Sequence, residues 1–222
     1  MSSYGRQANL HLQLDSMTRN ILKVSDFLAA IKDSRCEQLI IGNLSFTQFD
    51  SVTISTNRDV LIRSSTKGTI FNNVTVDGSE TVSFEGVIID RLTVTAGSTV
   101  NLIDCDVQIL ESAGNCGVST STVSSLDISG IAHVVDTRIS GFTCIRRTGR
   151  ATLVKCWMTG EDIVTVAGAS AQFTNCWISR MVNTDSLVGW VASKLPKYFI
   201  PRVELPPAKY IGCRMNFRVK KS

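Results

Sequence analysis

Two five-residue segments of the chain are close copies, Val154-Lys155-Cys156-Trp157-Met158 and Thr174-Asn175-Cys176-Trp177-Ile178, and they lie 20 positions apart. The segments 84–89, 102–107 and 134–139 fit the same frame, with apolar residues at alternate positions. Alternation with a period of two predicts strands with one buried face. A sandwich or antiparallel barrel does not usually repeat a fixed row of equivalent residues. The recurrence, near 16–20 residues, therefore predicts parallel strands stacked as turns of a solenoid.

One position of this repeat, directly before an inward-facing residue, carries residue types that tolerate a positive φ angle. Its members are Asn73, Gly86, Asp104, Asp136, Lys155 and Asn175. Their recurrence predicts a corner held in the left-handed conformation. This corner resembles the sharp turn of right-handed parallel β-helices of the pectate-lyase-like superfamily, and Lys155 departs from that pattern.

The resemblance covers roughly residues 18–187 and concerns the fold alone. It implies an all-β protein, a single-stranded right-handed parallel β-helix whose N-terminal end is covered by a capping α-helix. Residues 24–33 predict that helix: Ser25 suits the N-cap, and Phe27, Leu28 and Ile31 form an apolar face. A lid is expected there because an open end of a solenoid exposes apolar side chains and strand edges.

Basic residues and prolines are unevenly distributed along the chain. Residues 194–222 hold eight basic residues and one acidic residue, a formal charge of +7 that leaves −3 for the rest, and they hold all four prolines. This shift predicts three regions: an N-terminal arm and capping helix (1–36), a parallel β-helix (37–187), and an irregular, basic, proline-rich arm (188–222).

Seven cysteines, without a secretory pattern at the N-terminus, favour a reducing compartment. Cys105, Cys156 and Cys176 share one inward row, where small apolar side chains fill a tight corner. A disulfide between Cys156 and Cys176 stays open as a less favoured alternative.

No metal site or cofactor is expected, because the sequence has no CxxC motif and no cluster of histidines. No run of about 18 apolar residues occurs, so no membrane span is expected.

Trp157 and Trp177 lie between inward residues, so alternation places both indoles outward on neighbouring turns. Either the C-terminal arm covers them, or they form an interface with another subunit or partner. The aromatic residues assigned to this interface are Trp157, Trp177, Trp190, Tyr198, Phe199 and Tyr210.

Paired carboxylates are the signature of a glycoside hydrolase, and Asp104 and Asp136 share the corner row two turns apart. Aspartate at a left-handed corner is more often a turn residue, so we expect no enzymatic activity.

The basic residues are expected to form a solvated face or a subunit contact, and direct binding of nucleic acid is less favoured. They are Arg138, Arg146, Arg147, Arg150, Arg214, Arg218, Lys220 and Lys221.

The resulting expectation is a non-enzymatic structural or binding protein, similar to the β-helical spike, fibre or minor capsid components of virus and phage particles. Such a protein would act in a homo-oligomer, a trimer being favoured, and with other proteins of a larger assembly. It would reside in the virion after assembly in the host cytoplasm, or otherwise in the cytoplasm. A polysaccharide-active hydrolase or lyase and a bactofilin-like polymerising scaffold are the alternatives.

Overall fold

Parallel pairing between strands far apart in sequence organises the chain. The computed structural model describes residues 17–42, 44–46, 51–66, 68–160 and 163–179, together with the backbone of four later strands within 181–211. One short helix and 23 strands are present in this described part. The protein is therefore all-β, as the repeat predicts.

The elements follow one another at short intervals. In chain order they are β1 (Met17–Ile21), α1 (Val24–Lys32), β2 (Cys36–Ile41), β3 (Val52–Ile54), β4 (Val60–Ser64), β5 (Ile70–Val76), β6 (Thr81–Glu85), β7 (Ile88–Val94), β8 (Thr99–Ile103), β9 (Asp106–Ser112), β10 (Asn115–Ser119), β11 (Thr122–Ile128), β12 (Ile131–Val135), β13 (Arg138–Ile139), β14 (Thr143–Ile145), β15 (Arg150–Val154), β16 (Trp157–Met158), β17 (Ile163–Thr165), β18 (Ser170–Thr174), β19 (Trp177–Ile178), β20 (Met181–Asn183), β21 (Leu187–Val191), β22 (Phe199–Pro201) and β23 (Tyr210–Ile211).

The strands are divided between two parallel sheets. The first has the order β1-β2-β4-β6-β8-β10-β12-β15-β18-β21-β23, and the second contains β3, β5, β7, β9, β11, β14, β17, β20 and β22, with β13, β16 and β19 stacked beside them. From β3 to β12 successive strands alternate between the two sheets, so the chain winds as a coil. This arrangement is a parallel β-solenoid of about nine turns, which confirms the fold class predicted from the repeat.

The core is built from rows of equivalent residues, one from each turn. One row joins Phe84, Leu102, Val118, Val134, Leu153 and Phe173 in register across neighbouring strands. Every member is buried. Alternate residues of each strand face this core, because side chains of a strand point to opposite faces of the sheet.

Helix α1 confirms the predicted position but corrects two details. Its N-cap is Lys23, with no capping side chain, so Ser25 is a helical residue and not the cap. Phe27, Ala30 and Ile31 are the buried residues, whereas Leu28 is 36% exposed. The Phe27 ring packs 4.9 Å from Phe46, measured between ring centroids, and thereby closes α1 onto the core.

Both ends of the solenoid extend beyond the predicted boundaries. Strand β1 precedes α1 and pairs in parallel with β2, so the first sheet begins at Met17 rather than after residue 36. Strands β21, β22 and β23 pair in parallel with β18, β20 and β21, so described parts of the region predicted as an irregular arm continue the coil. They do not lie across the two tryptophans.

Stacked glycines allow close contact between turns and give a test of the register. A Cβ atom on Gly130 would collide with the carbonyl oxygens of Ala113 and Gly114 in the preceding turn. A Cβ atom on Gly42 would have no heavy atom of the rest of the described structure within 4 Å. We expect Gly130→Ala to lower the free energy of unfolding by about 1–3 kcal/mol and Gly42→Ala to change it by less than about 0.5 kcal/mol.

Urea unfolding followed by circular dichroism measures both changes. Equal losses for the two variants would contradict the inter-turn contact at Gly130.

Candidate interaction site

A row of left-handed residues forms the tight corner between the two sheets. Gly86, Asp104, Thr120, Asp136, Lys155 and Asn175 have φ angles of 66°, 52°, 49°, 47°, 53° and 53°. The N–H of each of the first five donates to a carbonyl of the following turn, as Asp136 does to Val154 at 3.0 Å. The corner predicted from the sequence is therefore confirmed as a continuous row.

One predicted member of this row is wrong and one was missed. Asn73 lies inside β5, paired with Arg91, and its φ is not in the left-handed region. Thr120 takes part in the row instead, although a β-branched residue is disfavoured at positive φ. Its place is fixed by the hydrogen bond from its N–H to the Val135 carbonyl, 3.2 Å away.

The residues after the corner point inward and are small. This row comprises Val87, Cys105, Ser121, Thr137, Cys156 and Cys176, all buried. Each hydroxyl or thiol donates to the carbonyl two residues earlier, as Thr137 Oγ1 does to Val135 at 2.8 Å and Cys176 Sγ to Thr174 at 3.4 Å. The thiols thus satisfy carbonyl groups at the corner, and the predicted role of the cysteines as core-filling residues is confirmed.

The cysteines are thiols in this structure. Cys36, Cys105, Cys116, Cys144, Cys156 and Cys176 are free and buried, so the open alternative of a Cys156–Cys176 disulfide is not formed. Burial raises the pKa of Cys116 to about 12 and raises the pKa of Cys105. A hydrogen bond to Cys176, followed by burial, raises the pKa of Cys156.

Thiol titration tests this assignment. A hydrogen bond with Cys156 lowers the pKa of Cys176 to about 7, so this thiol is protected at pH 8 by burial and not by protonation. Because burial excludes the reagent from all six described cysteines, we expect no more than one of the seven cysteines to react rapidly with Ellman's reagent in the folded protein. All seven should react after unfolding in guanidinium. Five reactive thiols after unfolding would show a disulfide and contradict the structure.

Past the corner, the second sheet begins with an outward row. Asp106, Thr122, Arg138, Trp157 and Trp177 occupy it in register. The two indole rings stack with centroids 5.5 Å apart and planes inclined by 31°. Trp157 is 56% exposed, and Trp177 is partly exposed. The stacking predicted from the 20-residue repeat is therefore confirmed.

A groove of about 520 Å³ runs beside this stack. It is lined by Asp136, Thr137, Arg138, Lys155 and Trp157. We call Asp136, Arg138, Lys155, Trp157 and Trp177 the corner ridge. Thr137 forms the buried floor of the groove.

Among the residues that the structure describes, the charges of the corner ridge lack partners. In the described ranges the side chains of Asp136, Arg138 and Lys155 make no hydrogen bond or ion pair, whereas three arginines elsewhere on the solenoid surface are each paired with a carboxylate one turn away. These pairs are Arg63–Glu85, Arg91–Glu111 and Arg146–Asp127. Three unpaired charges beside an exposed indole distinguish the corner ridge from those surfaces.

The predicted basic patch is divided by the fold. Arg138 opens β13 in the corner ridge, whereas Arg146 lies past the end of β14 and donates to Asp127 at 2.7 Å. The hydrogen bond to Asp127 raises the pKa of Arg146. Arg147 and Arg150 are exposed beside Arg146, at the turn into β15. The four arginines therefore do not form one cluster.

Several predicted residues lie outside the described part. Tyr198, Arg214, Arg218, Lys220 and Lys221 belong to residues that the structure does not describe. For Trp190, Phe199 and Tyr210 only the backbone is described: Trp190 pairs with Phe173 and Tyr210, and Phe199 pairs with Met181. Their role at an interface stays a prediction.

The predicted carboxylate pair is divided by one turn. Asp104 and Asp136 are both exposed members of the corner row, with Thr120 between them. Two strand spacings separate their backbones by about 10 Å. Among the described residues, no group of three or more His, Cys, Asp or Glu could hold a metal ion, and no helix is long and apolar enough to cross a membrane.

A second groove, of about 640 Å³, lies on the outer face of the first sheet near α1, and its lining includes Arg58, Asp59 and Thr81. Arg58 donates to the carbonyls of Cys36 at 2.7 Å and Ile31 at 3.2 Å, and so satisfies the C-terminal end of α1. Asp59 accepts the Thr81 N–H at 2.9 Å. These two charges serve the fold, so the corner ridge is the stronger candidate site.

Comparison with known proteins adds no relative. No protein-family model, no curated protein and no solved structure matches the chain.

Proposed function

We propose that this chain is a non-enzymatic structural subunit that assembles with other protein chains, in the first place with copies of itself, through the corner ridge. The observation that carries the proposal is the stacked pair Trp157 and Trp177, with Trp157 56% exposed on a rigid sheet. Tryptophan and arginine are enriched where protein interfaces concentrate their binding energy. Both residue types are adjacent here.

The outer face of the first sheet supports the same proposal. Between β8 and β12 its outward positions contain no Asp, Glu, Lys or Arg, and Ile103, Ile131 and Val135 are 41%, 43% and 37% exposed. Depletion of charge is the compositional signal of the central part of an interface. Val135 directly precedes Asp136, so this face adjoins the corner ridge and enlarges the surface available to a partner.

The architecture suits a structural role. Stacked turns in register form a stiff body whose surface rows repeat every 16–23 residues in the paired strands, and most described connections between strands are short. By analogy of fold we propose membership of the pectate-lyase-like superfamily and a place in a virus or phage particle, as a spike, fibre or minor capsid component. Assembly in the host cytoplasm agrees with the free thiols.

The corner row supports a turn role for Asp104 and Asp136 in preference to a glycan-cleaving one. Equivalent positions of the row are taken by Gly86, Thr120 and Lys155, which share the left-handed backbone and not the carboxylate. The conformation of the corner thus accounts for both aspartates without an acid–base pair.

Multi-angle light scattering of the purified chain tests the proposal. We expect an oligomer in the wild type and a monomer in the double variant Trp157→Glu/Trp177→Glu, because two carboxylates per copy would have to be desolvated in the interface. The control Leu22→Glu/Phe142→Glu also places two carboxylates at exposed apolar positions, but outside the corner ridge.

A wild type that is monomeric, or a control that dissociates as fully as the tryptophan variant, would contradict assembly through the corner ridge. Filaments in the electron microscope that persist in the tryptophan variant would instead support the bactofilin-like scaffold.

A further inference from the structure

Opposite charges occupy neighbouring turns of the corner ridge. Asp136 and Lys155 are consecutive members of the left-handed row, and Arg138 pairs in register with Trp157. The turn of residues 136–138 therefore presents a carboxylate and a guanidinium, and the next turn presents an ammonium and an indole. Within the described residues none of the three charged side chains has a partner.

This order distinguishes between ways in which two copies of the corner ridge can meet. If copies ran parallel around a common axis with their ridges facing, each turn would meet the same turn of its neighbour. Where the corner row lies on that axis, Asp136 lies against Asp136 and Lys155 against Lys155, and like charges placed opposite each other cost several kcal/mol. A parallel trimer with the corner row on its axis has this defect.

An antiparallel arrangement has the opposite result. A two-fold axis perpendicular to the solenoid, placed midway between the two turns, brings Asp136 of one copy to Lys155 of the other. The same operation brings Lys155 of the first copy to Asp136 of the second, because a two-fold interface is self-complementary. Every favourable contact then occurs twice.

We propose that a second copy of this chain docks antiparallel on the corner ridge and forms a closed two-fold dimer. Two Asp136–Lys155 ion pairs join the copies, and each Trp157 enters the partner's groove beside Arg138. This inference rests on the proposed function, since it specifies the partner and the orientation at the same surface.

The groove fits this occupant. Its volume of about 520 Å³ exceeds that of an indole side chain, and it is bordered by Arg138 and by Trp157 itself. A guanidinium over the face of an indole is a favourable contact that strengthens when water is excluded. The same symmetry places Trp177 of one copy at the turn of Thr122 of the other, where the threonine methyl group provides apolar surface.

A charge swap tests the arrangement on the full-length chain. The variants are Asp136→Lys, Lys155→Asp and the double variant that carries both changes, and sedimentation velocity gives the dissociation constant of each. Each single change creates two like-charge contacts, so we expect both single variants to raise the dissociation constant at least about tenfold. The double variant recreates both ion pairs with exchanged sides and should return to within about threefold of the wild type.

The matched control is Lys23→Asp. It makes the same change of charge as Lys155→Asp at an exposed position before α1, outside the corner ridge and the adjoining face of the first sheet. It should leave the dissociation constant within about threefold of the wild-type value, because a single charge outside the contact acts only through the screened long-range field. Asp136 and Lys155 both have positive φ angles, at which most side chains are strained. The circular dichroism spectrum of each variant is therefore compared with that of the wild type to verify that the variant folds.

The outcomes separate the two proposals. A wild-type dimer that loses affinity in both single variants and regains it in the double variant supports the antiparallel arrangement. A wild-type trimer, single variants that bind as the wild type does, or a double variant that stays as weak as the single ones would overturn it while leaving assembly through the tryptophans intact. A monomeric wild type would overturn both.

Discussion

The structure depends on backbone hydrogen bonding between successive turns that lie in register. Each strand donates to and accepts from the strand one turn away, and even the corner residues do so, as the N–H of Lys155 donates to the Thr174 carbonyl at 2.8 Å. The sequence distance per turn varies from 16 to 20 residues along the corner row. The spacing between turns stays at one strand separation, about 4.8 Å, because extra residues lie in the connections between strands, as between β13 and β14 and between β14 and β15, and leave the pairing intact.

Because successive turns lie in register, residues one turn apart in the sequence become neighbours on the surface. This is how the fold forms the candidate interaction site. A single exposed tryptophan needs no explanation, whereas two tryptophans stacked on adjacent turns, beside three charges without partners among the described residues, form a surface. Arg138, Trp157 and Trp177 lie in strands, and the backbone N–H groups of Asp136 and Lys155 are hydrogen-bonded to the next turn, so the backbone of the corner ridge is held in place before a partner binds. Preorganisation of this kind lowers the entropic cost of association.

The repeat predicted the fold and the outward tryptophans because Cys156-Trp157 and Cys176-Trp177 share a visible frame. It missed Thr120, whose inter-turn hydrogen bond overrides an unfavourable residue type, and it misplaced Asn73, which has the right side chain but lies in a regular ladder. The helix cap assigned to Ser25 is wrong because the helix begins one residue earlier, at Val24, and Lys23 takes the N-cap position. The predicted row already placed Asp136 and Lys155 on neighbouring turns. That neither side chain has an ion-pair partner among the described residues depends on side-chain geometry, which the spacing does not give.

Distances along one outward row test the in-register account most directly. Spin labels on p-acetylphenylalanine at Thr81 and Arg150, and at Thr81 and Ser170, report four and five strand spacings along the first sheet. Double electron–electron resonance should give separations near 19 Å and 24 Å, increasing by about 4.8 Å for the extra turn. Separations that do not increase by one strand spacing between the two pairs would contradict the stacked solenoid on which the corner ridge depends.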